Sequence, residues 1–157
     1  MAIEIERKFL LSSDQWRELV TKKVKMQQGY LATSANAASV RVRIVGDKAN
    51  LNIKSATLEL FRHEYEYPIP IVDAQEMLEH LCETPLIEKI RHYVSVGNHV
   101  WEIDEFSGDN AGLIVAEVEL QHVDEKFDKP QWLGGEVTQD KRYYNVCLVR
   151  HPYKQWK

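Results

Sequence analysis

The first ten residues, MAIEIERKFL, place Glu4, Glu6 and Lys8 two positions apart, with Ile3 and Ile5 alternating between the charged residues. Residues two apart on a β-strand share a face, so this pattern predicts a strand with one charged face and one apolar face. Carboxylates bind hard divalent cations, and a lysine ammonium binds phosphate oxygens. The segment therefore carries side chains that could hold a metal ion and a phosphate together.

The same alternation recurs in segment after segment along the chain, each time with charged or amide residues on one face and apolar residues on the other. The later polar-face residues are Arg41 and Arg43, Asn52 and Lys54, Arg62 with Glu64 and Glu66, Lys89 and Arg91, Glu102 and Asp104, and Glu117 and Glu119.

Two interpretations of these charged faces compete. A half-buried strand ordinarily turns its polar face to water, which would make the charges a solvated surface. Against this, the faces hold mostly Glu, Asp, Lys and Arg rather than Thr, Ser or Gln, and acids and bases occur in separate groups. If the sheet curls into a barrel, one face becomes a lumen, where charges must be paired or bind something.

The balance of charge in such a lumen predicts its ligand. Bases alone would suit a polyanion, but the acids are about as numerous as the bases and would repel it. Divalent cations resolve the conflict, because carboxylates hold Mg²⁺ or Mn²⁺, the ions bridge to phosphate oxygens, and Arg and Lys take the remaining oxygens. The residues thus predict a metal-dependent site for a compact, highly charged phosphate compound.

The elements that must position these residues are mainly strands. Alternation predicts strands over residues 2–9, 39–45, 49–56, 61–69, 86–96, 99–106 and 113–123. Helices are predicted over 12–22, over 72–83 with Asp73 as N-cap, over 129–139 as a short helix broken by Gly134 and Gly135, and over 140–152 with Asp140 as N-cap. Strands grouped by short turns predict an α+β fold with a mainly antiparallel sheet.

Composition narrows the class of protein. A length of 157 residues predicts one domain over 1–157, and 44% hydrophobic residues suffice for a core. The net charge of −4 argues weakly against a nucleic-acid surface, and the sequence predicts neither a signal peptide nor a membrane span. Cys82 and Cys147 lie far apart, which fits a reduced cytoplasmic setting and no thiol-bound metal. The six histidines lack metal-ligand spacing and are interpreted as surface or packing residues.

These motifs together resemble the CYTH superfamily, the triphosphate tunnel metalloenzymes. The resemblance rests on the ExExK of IEIERKF, the RxR at Arg41 and Arg43, the lysine of NIK at Lys54, and four later elements in the same order. Those elements are the ExE at Glu64 and Glu66, the KxR at Lys89 and Arg91, the acid Asp104, and the ExE at Glu117 and Glu119. The short start and the tail LGGEVTQDKRYYN are most similar to the small bacterial single-domain branch.

The resemblance implies an antiparallel eight-stranded β-barrel, a tunnel or a partly open cup, with a charged lumen and peripheral helices. It implies hydrolysis of inorganic tripolyphosphate to pyrophosphate and phosphate, with two Mg²⁺ or Mn²⁺ ions as cofactors. Metal ligands would be Glu4, Glu6, Glu117 and Glu119, assisted by Asp104 and by Glu64 or Glu66. The triphosphate would contact Lys8, Arg41, Arg43, Lys54, Lys89, Arg91 and, as a further contact, Tyr30.

The expected mechanism is in-line attack of a metal-held water on a terminal phosphorus. Glu4, Glu6, Glu117 and Glu119 all remain candidates for the general base, and Lys8 completes the catalytic set. Other readings stay open: a thiamine or nucleoside triphosphatase, a class IV adenylate cyclase, or a non-catalytic module that binds polyphosphate or nucleotides. A homodimer is possible on the residue pattern but not demanded by it, and Lys141 and Arg142 are expected on a solvated helix start.

Overall fold

The computed structural model describes residues 2–32, 38–55 and 61–156. Within these ranges the strands are β1 (Ala2–Leu11), β2 (Lys22–Ala32), β3 (Ala38–Val45), β4 (Lys48–Ser55), β5 (Phe61–Ile69), β6 (Ile87–Val96), β7 (His99–Phe106), β8 (Ile114–Leu120) and β9 (Leu133–Glu136). The α-helices are α1 (Ile71–His80) and α2 (Asn145–Arg150), and short 3-10 segments cover Gln15–Leu19, Gly108–Asn110, Lys141–Tyr143 and Tyr153–Gln155.

The strands form one antiparallel sheet that closes into a barrel. Its order is β5-β4-β3-β2-β6-β7-β8-β1, and β1 pairs back onto β5 to close the ring, with β9 as an additional strand on β1. The first part of β1 pairs with β5, from Ala2 opposite Glu64 to Ile5 opposite Phe61. Its middle pairs with β8, and its end pairs with β9. The predicted α+β class and eight-stranded barrel are therefore confirmed.

The apolar core lies outside the barrel wall and at one end of it. Phe9, Trp101 and Val118 belong to a buried cluster that Trp16 and Trp132 cover from outside. Helix α1 packs through Ala74 and Leu78 against the outer faces of β3 and β4. A third cluster joins strand residues such as Tyr30 and Phe106 to Tyr143, Leu148 and Val149 from the C-terminal segment. Because the apolar faces are buried outside, the charged faces must point inward.

The glycine of the β6–β7 turn has a defined conformational role. Gly97 adopts φ of 60°, in the left-handed region that only glycine enters without strain. This turn keeps β6 and β7 in register, with Arg91 opposite Asp104.

Several sequence predictions about individual elements were wrong. Strand β2 was not predicted, because KKVKMQQGYLA has no clear alternation of charge and apolar residues. Residues 133–136 form strand β9 instead of a helix, since they hydrogen-bond along the end of β1. The helix expected over 12–22 is only the 3-10 segment Gln15–Leu19.

The two remaining helices begin or break differently from expectation. Helix α1 starts after Pro70, so Asp73 lies in its first turn and is not the N-cap. The helix expected over 140–152 is divided into the 3-10 segment Lys141–Tyr143 and α2. Asp140 does cap the first of these, because its side chain accepts a hydrogen bond from the Arg142 amide. None of the helices within the described ranges is long and apolar enough to cross a membrane.

Candidate active site

Barrel closure sorts the inward charges into two facing walls. Around the ring, β1 lies opposite β2, so the strands β3, β2 and β6 face the strands β5, β1 and β8. We call Arg41, Arg43, Lys89 and Arg91 the base wall, and Glu4, Glu6, Glu64, Glu66, Glu117 and Glu119 the acid wall. The segregation of acids and bases in the sequence thus becomes a separation across one interior.

The two walls enclose a cavity of about 250 Å³. Every predicted site residue except Asp104 lines it. The lining residues are Glu4, Glu6, Lys8, Tyr30, Ser39, Arg41, Arg43, Asn52, Lys54, Arg62, Glu64, Glu66, Lys89, Arg91, Glu102, Glu117, Glu119, Tyr144, Asn145 and Val146.

The β3 part of the base wall carries positive charge without carboxylate partners. Among the described residues, neither Arg41 nor Arg43 has an acidic side chain within ion-pair distance, and Arg41 is only 7% exposed. Arg43 instead donates to the neutral amide oxygen of Gln28 at 2.8 Å. Burial, then the charges of Arg41 and Arg91, lower the pKa of Arg43 to about 9. Such uncompensated buried cations favour an anionic ligand.

The β6 part of the base wall is held by Asp104. Lys89 Nζ lies 2.8 Å from Asp104 Oδ2, and Arg91 donates to both carboxylate oxygens, at 2.8 and 2.9 Å. Burial alone would raise the pKa of Asp104, but Arg91 and Lys89 outweigh it and hold that pKa far below its usual range. Burial lowers the pKa of Lys89 to about 7, against the attraction of Asp104.

Asp104 therefore stands apart from the predicted metal ligands. It is 1% exposed, it does not line the cavity, and both of its oxygens are occupied by base-wall cations. Its neighbour on the same strand face, Glu102, lines the cavity and lies 3.3 Å from Arg91. The structure thus places Asp104 against Lys89 and Arg91, where it orients both side chains.

The acid wall is partly neutralised by bases within it. Lys54 Nζ lies 2.9 Å from Glu4 and 3.6 Å from Glu64, and Lys8 Nζ lies 3.3 Å from Glu117. Arg62 lies 3.6 Å from Glu6. These pairs place the acids of three strands beside one another.

Glu119 shows the excess of negative charge on this wall. Burial, followed by repulsion from Glu4, Glu6 and Glu64, raises the pKa of Glu119. Within the described ranges, no group of three acid, histidine or cysteine side chains is arranged as a preformed chelate. The donor chemistry nevertheless fits a hard divalent cation, because the wall offers only carboxylate oxygens and keeps an uncompensated negative charge.

Sequence reasoning missed several residues of the cavity. Arg62 and Glu102 could have been found from the strand alternation, because each shares a strand face with a predicted site residue, but neither was assigned a role. Gln28, which does not line the cavity but orients Arg43, could not be placed without β2. Tyr144 and Asn145 come from the start of α2, which no strand alternation could connect with the barrel interior. Lys141 and Arg142 are exposed, as expected for a solvated segment.

Comparison with protein families gives a match to the CYTH domain over residues 2–150. The chain is 46% identical over 157 residues to a protein of Acetivibrio thermocellus named inorganic triphosphatase, covering 100% of this chain and 99% of that one. It is 37% identical over 149 residues to a protein of the same name from Nitrosomonas europaea, covering 93% and 96% of the two chains.

Solved structures share the fold. A crystal structure of an inorganic triphosphatase superposes with a TM-score of 0.67 at 36% identity, covering 93% of this chain and 97% of that one. A candidate adenylyl cyclase from Hippeastrum, for which a dominant triphosphatase activity is described, superposes with a TM-score of 0.57 at 18% identity, covering 78% and 80%. The second likeness shows the fold alone.

Proposed function

Since this chain belongs to the CYTH domain family, we propose that it hydrolyses inorganic tripolyphosphate to pyrophosphate and phosphate with the help of a divalent cation. The observation that carries the proposal is that the base wall faces the acid wall across one cavity. Among the described residues, Arg41 and Arg43 lack acidic partners on the base wall, and on the acid wall Glu119 lies among other negative charges. The relatives named inorganic triphosphatase support the same substrate.

The base wall would bind the phosphate chain. Arg41, Arg43 and Arg91 present guanidinium groups that bind phosphate oxygens through directed pairs of hydrogen bonds, and Lys89 adds a compact charge. Their burial strengthens each interaction, because water competes less in the interior than at a surface. Held in advance by Gln28 and Asp104, the side chains of Arg43, Lys89 and Arg91 need little rearrangement when charge develops on the leaving pyrophosphate.

The acid wall would hold Mg²⁺ or Mn²⁺ through Glu4, Glu6, Glu117 and Glu119, with Glu64 or Glu66 assisting. Bound there, such a cation supplies charge neutralisation on the phosphate oxygens and lowers the pKa of a coordinated water. The carboxylates of the same wall accept the proton of the attacking water. Lys8 and Lys54 lie among these acids and can turn to the phosphate oxygens when Glu117 and Glu4 exchange partners.

A cation held by the carboxylates would also explain why an acid-rich interior suits a polyanion. Without a cation, the acid wall would repel the phosphate chain and weaken its binding to the base wall. We therefore expect hydrolysis to depend on added metal, with the whole reaction carried out by one domain on a small-molecule substrate.

One assay tests the activity and the substrate together. Phosphate release is measured from tripolyphosphate, ATP and thiamine triphosphate, each with Mg²⁺, with Mn²⁺ and with EDTA. We expect metal-dependent release from tripolyphosphate to be the fastest and EDTA to abolish it. Faster release from ATP or thiamine triphosphate would replace the inorganic substrate with an organic one. Absence of metal-dependent release from all three would leave a binding module.

A further inference from the structure

The start of helix α2 contacts the cations of both walls. Tyr144 and Asn145 line the cavity, and the helix is anchored behind them by Leu148 and Val149, which are buried in the cluster that closes one end of the barrel. Tyr144 and Asn145 differ from the acids of the lumen in one respect: neither side chain carries a charge. Their contacts therefore orient cations without neutralising them.

Asn145 joins the two halves of the base wall. Its Oδ1 accepts one hydrogen bond from Lys89 Nζ at 2.9 Å and another from Gln28 Nε2 at 2.9 Å. Gln28 in turn accepts from Arg43 Nε at 2.8 Å and is fully buried. The Asn145 amide oxygen on α2 thus contacts Lys89 of β6 directly. It contacts Arg43 of β3 through Gln28.

Tyr144 performs the equivalent task beside the acid wall. Its ring centroid lies 5.0 Å from Lys8 Nζ and 5.3 Å from the guanidinium carbon of Arg62. The ring is itself held, because its hydroxyl donates to the Thr138 carbonyl oxygen at 2.9 Å. A cation–π contact attracts each cation to the ring face but leaves its full charge available to a ligand.

The physical difference between neutral and acidic partners decides what these contacts can do. A carboxylate partner orients a cation and also cancels its charge, so the pair attracts a phosphate weakly. An amide oxygen or a π face also restricts the rotation of the cationic side chain, but it cancels less of the positive charge that attracts the phosphate. A polyanion site gains affinity when its cations are ordered before binding, because that conformational entropy is not lost again on association.

We propose that Tyr144 and Asn145 are positioning residues that hold Lys8, Arg62, Lys89 and, through Gln28, Arg43 in place for the triphosphate chain. The proposal rests on the proposed function, because it names the residues that prepare that site for its anion. The neutrality of the two side chains is the property that matters, in addition to their shape.

The test measures tripolyphosphate binding by calorimetry in EDTA, so that no turnover occurs, and hydrolysis separately with Mg²⁺. Asn145→Asp keeps shape and acceptor but adds a negative charge, and we expect the Kd to rise by about tenfold or more. Tyr144→Leu removes the π face and should raise the Kd roughly threefold to tenfold, whereas Tyr144→Phe keeps the ring, loses the hydrogen bond to Thr138, and should raise the Kd by less. In hydrolysis, these losses should appear mainly as a higher KM.

Matched controls separate positioning from charge or packing in general. Asn98→Asp makes the same charge change at an exposed turn, and Tyr67→Leu makes the same truncation on the exposed outer face of β5. Both should bind tripolyphosphate like the parent, and thermal melting should show all variants folded.

The outcomes distinguish this inference from the proposed function. Parent-like binding by Asn145→Asp and Tyr144→Leu would overturn the inference while leaving hydrolysis intact. Equal losses in Tyr144→Phe and Tyr144→Leu would overturn the role of the π face. A parent that binds tripolyphosphate without hydrolysing it would remove the proposed function, and the variant comparison would still decide the inference. A parent that hydrolyses tripolyphosphate with Mg²⁺ but does not bind it in EDTA would overturn the inference alone, and a parent that neither binds nor hydrolyses it would overturn both.

Discussion

Lys54 and Glu4 form an ion pair of 2.9 Å inside the barrel, although their strands, β4 and β1, are separated in the ring by β5. The pair reaches across the inner face of β5, where Glu64 lies 3.6 Å from the same ammonium. A cation bound by Glu4 and Glu64 would therefore free the Lys54 ammonium for a phosphate oxygen. On the proposed function, such an exchange would link metal binding to substrate binding, which makes the acids of β1 a sensitive place to test.

Neutralising the acids of β1 should remove metal-dependent turnover. We predict that Glu4→Gln combined with Glu6→Gln lowers tripolyphosphate hydrolysis by about 100-fold or more, because two oxygen donors for the cation lose their charge. The measurement is the rate of phosphate release across a Mg²⁺ titration. Glu18→Gln with Glu76→Gln removes the same charge from exposed sites and should behave like the parent. Turnover with an unchanged Mg²⁺ dependence in the β1 variant would contradict the metal assignment.

Asp104 should prove to be an anchor for cations. We predict that Asp104→Asn lowers the free energy of unfolding by about 3 kcal/mol, because it leaves Lys89 and Arg91 buried without their main acidic partner. Chemical denaturation measures this loss. Tripolyphosphate affinity in EDTA should fall as well, since the two cations lose their orientation.

The metal dependence of that variant distinguishes an anchor from a ligand. The Mg²⁺ concentration for half-maximal hydrolysis should be unchanged in Asp104→Asn, because both Asp104 oxygens are bonded to Lys89 and Arg91 and Asp104 does not line the cavity. A large rise in that concentration would show Asp104 to be a metal ligand after all.

The attachment of β9 to β1 should depend on pH. Arg7 donates to both oxygens of Glu136, at 2.8 and 2.5 Å, and this contact lowers the pKa of Glu136. Because the folded pKa lies below the unfolded value of about 4.3, the contact stabilises the fold above that pH and is lost as pH falls through the lowered pKa. Both side chains are partly exposed, which limits the effect to about 1 kcal/mol.

We therefore predict that Glu136→Gln is less stable than the parent at pH 7 and that the difference disappears in acid. Urea unfolding from pH 7 down to pH 3 measures it. In an Arg7→Met background, Glu136→Gln should change stability little at any pH. A difference between parent and Glu136→Gln that stays constant down to pH 3 would refute the ion pair as its source.

Gly29 leaves room for the segment that follows α1. A Cβ added there would lie 2.8 Å from Leu86 Cδ2 and 2.9 Å from Cys82 Cβ, both closer than carbon atoms normally approach. We predict that Gly29→Ala destabilises the protein by about 1–3 kcal/mol, as overpacked cores generally do. The matched substitution Gly135→Ala meets nothing within 4 Å and should leave the melting temperature nearly unchanged. Equal melting temperatures for the two variants would contradict this view of β2 packing.

The alternation of residue types was enough to predict most of the barrel wall. Val118 and Ile103 on one face, with Glu117 and Asp104 on the other, define strands without any knowledge of their neighbours, because side chains of a strand alternate with a period of two. Alternation did not predict strand β2, because its MQQGY segment mixes amide, apolar and small residues. It did not predict strand β9 because two glycines in four residues carry no periodic signal, and only hydrogen bonds to β1 make it a strand.

The sequence by itself determined which side chains share a face and that Arg41, Arg43 and Lys54 fall on other strands than Glu117 and Glu119, because both follow from local spacing. Only the tertiary structure decided which face is the interior, that β1 closes onto β5, and that the acid wall faces the base wall. It also separated Asp104 from the other acids and brought Tyr144 and Asn145 to the cations. These results depend on contacts between residues far apart in the chain, which the local period of a strand does not encode.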